Sequence, residues 1–211
     1  MKKLLIAATV VVALAAAPSA NAQFSKLPFG KKSADKDAGA ADGTALVSTF
    51  DRSQALVLSA QTHLTDALGL KDQLALLQAE QKAMSSGQTD TDALKKRRAL
   101  SDAAQKAIDA RVAEQPELSD AARGRFAEGL VDYVKAVGST GELTAQASGF
   151  MKNAGANPMA LMGNAKTAAY VGKEVPGYVK GLGSTTRALL QYAKRNSIAA
   201  PANATAALDG L

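Results

Sequence analysis

Apolar residues recur along this chain at steps of three and four, the spacing of one face of an α-helix. Between residues 44 and 68, Leu46, Phe50, Val57, Ala60, Leu64 and Ala67 share such a face, and Gly69 supplies a stop. Leu70, Leu74, Leu77 and Met84 mark a second helix over about 71–86, closed by Ser85, Ser86 and Gly87. A third runs from near Asp90 to about Gln115, turns Leu100, Ala104, Ile108 and Val112 inward, and ends before Pro116. Ser119 is a good N-cap for a fourth, with Asp120 favourable in its first turn. Phe126, Leu130, Val134 and Val137 form its apolar face, and Gly138 and Gly141 weaken it, so a fragmentary helical piece is expected to continue to about 153. Asn157-Pro158 sets a cap residue before proline at the first helical position. It opens a fifth helix that extends to about Asn196 and bends at Pro176. No alternating run of Val, Ile, Thr and aromatics signals a strand. The expectation is an all-α fold: an antiparallel bundle of four to five helices in a single domain over 44–196, with a long bent C-terminal helix.

The two ends of the chain carry a different pattern. Lys2 and Lys3 precede an apolar stretch from Leu4 to Ala16, Pro18 breaks it, and Ala20-Asn21-Ala22 is the small-x-small signature of a signal peptidase site. The 13 residues of that stretch are too few to cross a bilayer, which takes about 20. Residues 1–22 are therefore expected to be a cleaved secretory signal peptide. Residues 23–43 are rich in Lys, Asp, Gly, Ser and Ala and read as a disordered tail, with Phe24, Leu27 and Phe29 at its start. Residues 197–211 are Ala-rich and expected to fray. No later stretch is long and apolar enough to span a membrane, so the mature chain is expected to lack a transmembrane segment. These features point to an exported protein, periplasmic or peripheral on a membrane.

Composition narrows the chemistry. The chain of 211 residues has no Cys and one His. Cysteine nucleophiles, thiolate metal sites, disulfides and cysteine lipidation are thereby excluded. No Glu-x-x-His pair offers a di-iron site. His63, with Asp66 three residues on, reads as an exposed or capping residue. There is no G-x-S-x-G and no phosphate-cradling G-x-x-x-x-G-K-[ST], and the one S-x-x-K, Ser33 to Lys36, lies in the tail. No catalytic, cofactor or metal residue can be named, and a non-enzymatic role is expected. Lys95-Lys96-Arg97-Arg98 is the densest basic run, but four consecutive residues wrap a whole helix. It reads as a solvated helix start beside Asp90 and Asp92, with no nucleic acid as partner. Met151, Met159 and Met162 read as core filling.

The last helix holds the most information. With Lys166 at position f of a heptad, the f positions are Lys166, Lys173, Lys180, Arg187 and Lys194. Positions a are Ala168, Val175, Leu182 and Leu189, and positions d are Val171, Tyr178, Thr185 and Tyr192. An apolar seam and a basic stripe thus share one period and oppose each other. Charge is uneven in the same sense. Residues 44–142 hold 12 basic and 14 acidic side chains, whereas 143–193 hold 5 basic and 1 acidic. The stripe is the candidate binding site for an anionic envelope macromolecule or membrane surface. The alternative is a carrier or sensor of a small apolar ligand held within the bundle, along the glycines and methionines of the last helix. Gly172, Gly177, Gly181 and Gly183 each cost that helix roughly 1 kcal/mol in propensity, and the pattern alone does not explain them.

Overall fold

Turn and cap residues fix several of the helix ends. Gly69 and Gly87 take positive φ angles of 71° and 75°, a region open to glycine, and close two helices. The Asp90 side chain accepts hydrogen bonds from the amides of Asp92 and Ala93, both at 2.9 Å. Ser119 Oγ accepts from the Ala122 amide at 3.3 Å. Each cap satisfies donors that a helix start leaves without an internal partner.

The computed structural model describes residues 43–85, 87–156 and 165–211. The expected signal peptide, residues 23–42 of the expected tail, and the Asn157-Pro158 helix start lie outside these residues. Among the described residues the fold is all-α, with no strand and seven helices. They are α1 (Gly43–Ala67), α2 (Lys71–Met84), α3 (Thr91–Ala113), α4 (Asp120–Gly138), α5 (Thr140–Ala156), α6 (Ala165–Arg195) and α7 (Ala204–Asp209). The expected count of four to five is thus exceeded in two places. The fragment expected after Gly138 is a full helix of 17 residues, α5, divided from α4 by Ser139 alone. The Ser139 hydroxyl donates to the Ala136 carbonyl at 2.7 Å, satisfying an acceptor at the break. Residues 197–211, expected to fray, carry α7 and bury Ile198 and Ala204.

α1 is the central element. It packs against α2, α3, α4, α5 and α6, and its buried residues include Thr49, Ser53, Gln54, Gln61 and Thr65 beside the expected apolar face. The periodicity predicts one buried face, but a helix with neighbours on several sides buries polar positions too. The core divides accordingly. One cluster joins Leu64, Phe126, Leu130, Leu189 and Tyr192, and the Phe126 and Tyr192 rings lie 5.0 Å apart. A second joins Leu46, Phe50, Leu143, Phe150, Val171 and Val175. α4 approaches α1 closely at Gly129, where a Cβ would lie 2.9 Å from the Ala60 carbonyl oxygen. No helix among the described residues is long and apolar enough to cross a membrane.

Candidate functional site

α6 runs 31 residues with Pro176 inside it. Its heptad seam lies inward: Ala168, Val171, Val175, Leu182, Leu189 and Tyr192 are buried, with Tyr178 and Thr185 partly so. Tyr192 Oη donates to the Pro116 carbonyl at 2.8 Å and ties the end of α6 to the α3–α4 connection. With the seam inward, the opposite face meets solvent. Lys166, Lys173, Lys180, Arg187 and Lys194 are all exposed. At 1.5 Å per residue their row is about 42 Å long. None of the four lysines is in an ion pair among the described residues, and Arg187 donates to the Leu208 carbonyl of α7 at 3.4 Å. The one acid of α6, Glu174, lies on another side and is bound by Arg98 of α3.

The basic run on α3 is not a solvated helix start. Arg97 is 3% exposed and bridges Asp51 of α1 and Glu80 of α2, with Glu80 itself buried. Arg98 bonds Asp102 and Glu174. Lys95 Nζ stands 5.7 Å from the centre of the Tyr170 ring, and Lys96 reaches Glu80 at 3.9 Å. Because the four residues wrap the helix, they face different neighbours, and the two arginines become internal ties. A buried arginine holds only because carboxylates meet its charge.

A cleft of about 120 Å³ opens beside these ties, between α1, α3, α4 and α6. Gln54 and Gln61 line it, and each leaves its buried Oε1 without a hydrogen-bond partner among the described residues. An unsatisfied buried acceptor costs roughly 1–3 kcal/mol. Gln61 Nε2 donates to the Ser101 carbonyl at 2.9 Å, and Tyr133 donates to Gln105 Oε1. Tyr178 Oη lies 2.9 Å from Ser53 Oγ, and its ring meets Phe50 edge-on at 5.1 Å. Burial pushes both phenols well above their ordinary range. This polar lining was missed by the pattern of apolar faces. A signal is present in the sequence, because Val47, Gln54, Gln61 and Leu68 follow one another at heptad spacing, two amides inside an otherwise apolar row.

The remaining candidates have structural places. His63 Nδ1 lies 3.2 Å from Glu128 of α4, while Asp66 pairs with Arg125 at 3.0 Å, so each reaches across to α4 instead of to the other. No group of three or more His, Cys, Asp or Glu able to hold a metal ion occurs among the described residues. Met151 is 39% exposed and packs over Gly172, and Met159 and Met162 lie outside the described residues. The four glycines of α6 fall into two pairs. A Cβ on Gly172 would come within 2.9 Å of the Met151 sulfur, and one on Gly183 within 2.5 Å of Leu211. Gly177 and Gly181 instead line the cleft from exposed positions, where a Cβ on either would meet nothing within 4 Å among the described residues. Comparison with protein-family models, with curated proteins and with solved structures gives no match for this chain.

Proposed function

We propose that this chain is an exported, non-enzymatic helical protein of the bacterial envelope that binds an anionic surface. The surface would be the headgroups of a membrane or another acidic macromolecule, and the contact is the row Lys166, Lys173, Lys180, Arg187 and Lys194. One observation carries the reading: all five side chains are exposed, while the acid of their own helix is engaged by Arg98 and leaves the row unneutralised. The signal-like N-terminus supports export. We read the helices as an antiparallel bundle, a reading supported by the short connections 68–70, 85–90 and 114–119. Packing of α6 against α1, α3, α4 and α5 makes its outer face a firm platform.

Each Lys or Arg near an anionic membrane contributes about 1 kcal/mol. Five in a row give about 5 kcal/mol, a Kd of roughly 0.2 mM. Such association is weak, reversible and sensitive to salt. The test is co-sedimentation with vesicles of phosphatidylcholine and phosphatidylglycerol. The combined variant Lys173→Glu, Lys180→Glu and Arg187→Glu loses sedimentation and keeps its helical circular dichroism, since all three positions are exposed. Undiminished sedimentation of a folded variant would leave the row with solubility as its only role.

A further inference from the structure

Gly177 and Gly181 stand four residues apart on α6, and packing demands glycine at neither. Both sites would gain helix propensity from almost any other side chain. Both are exposed, and their small size leaves the mouth of the cleft open. The cleft they line, about 120 Å³, is of the order of the cavity of about 150 Å³ that holds one benzene ring in an engineered protein core. Val57, Leu58 and Leu182 give it aliphatic walls, and the Tyr133 and Tyr178 rings add flat ones. Its polar groups are selective. Gln54 and Gln61 each hold a carbonyl oxygen that no donor among the described residues satisfies. The charges of Arg97 and Arg98 are met by Asp51, Glu80, Asp102 and Glu174, and Arg97 Nε is itself buried without a hydrogen-bond partner among the described residues.

We propose that this cleft binds a small uncharged ring compound that presents N–H donors, of which an aromatic amide is the simplest form. The apolar walls take the ring, the N–H groups supply the donors that the two glutamines lack, and the neutralised arginines disfavour an anion. This site is separate from the basic row and does not depend on it.

Benzamide, benzoate and toluene share one ring and separate these requirements. In two-dimensional amide NMR, benzamide shifts the signals of Gln61, Gly177 and Gly181 saturably, and binds at least tenfold more tightly than benzoate or toluene. Gly181→Leu fills the cleft and cuts benzamide affinity at least tenfold. Its melting temperature holds or rises, because the position is open and leucine favours helix. Gly177→Leu is an independent second filling with the same expected result. The proposal is overturned if benzamide gives no saturable shift, if benzoate or toluene binds as well, or if both folded leucine variants keep wild-type affinity.

Discussion

Gly129 shows how one missing side chain sets the distance between helices. A Cβ there would meet Leu64 Cγ at 2.8 Å and the Ala60 carbonyl oxygen at 2.9 Å, and a backbone atom cannot swing aside. Gly129→Ala is expected to cost about 1–3 kcal/mol in overpacking, more than the roughly 1 kcal/mol gained in helix propensity. Gly124→Ala, five residues earlier and facing open space, gains that propensity without the clash. Denaturant midpoints of the two variants therefore move in opposite directions from wild type. Tyr133 gives a second expectation. It is 2% exposed, and burial raises its phenol far above the ordinary value of 10.0. The folded state holds the neutral phenol, whereas the unfolded chain ionises it from about pH 10. Stability from this group is full below pH 10 and falls above it, by about 1.4 kcal/mol per pH unit. Tyr178, half-buried and hydrogen-bonded to Ser53, adds a smaller share in the same direction. Urea unfolding between about pH 9 and 11.5 checks this, with Tyr133→Phe flattening the fall; an unchanged slope contradicts it. The buried Arg97 and the two glutamines were the least legible residues. Charge and polarity predict exposure, and only neighbours contributed by other helices make their burial tolerable.

Helices were legible where their neighbours all lie on one face and not where they lie on several. The inward seam and exposed row of α6 follow from its heptad, because an amphipathic helix on the outside of a fold has one buried face. α1 shows the opposite case, since helices pack on several of its sides and polar residues enter its contacts. α2 departs in the other direction. Of its expected face, Leu77 is fully buried and Leu70, Leu74 and Met84 are partly covered, while Leu76, outside that face, is 52% exposed. Apart from Leu77, its only buried residue is Glu80, held by Arg97 and Lys96. Few buried contacts mean a small free energy of local opening. Amide hydrogen exchange in α2 is therefore expected to outrun that in α1, α3 and α4, and equal protection would contradict this account. The C-terminal α7 escaped notice because its sequence is mostly alanine. It packs on α4, with Ala204 buried and Ala207 and Leu208 against the core, contacts distant in sequence that no local pattern reports.

Taken together, the parts divide by charge. α1 to α4 carry interleaved acids and bases, some of which tie helix to helix, as in the pairs from Arg97, Arg98 and Arg125. α6 contributes its acid to those ties and keeps its bases outward. The proposed binding face is the exposed row on α6, none of whose lysines is in an ion pair among the described residues. The decisive measurement is the binding constant of the protein for vesicles as the phosphatidylglycerol fraction is raised, at about 50 mM and about 500 mM salt. Screening shortens the reach of exposed charges from more than 10 Å at the lower salt to less than half that at the higher. Binding is expected to strengthen with anionic lipid, to collapse at high salt and to be lost on reversing Lys173, Lys180 and Arg187. Binding that is absent at low salt, or indifferent to lipid charge and to salt, would contradict the proposal.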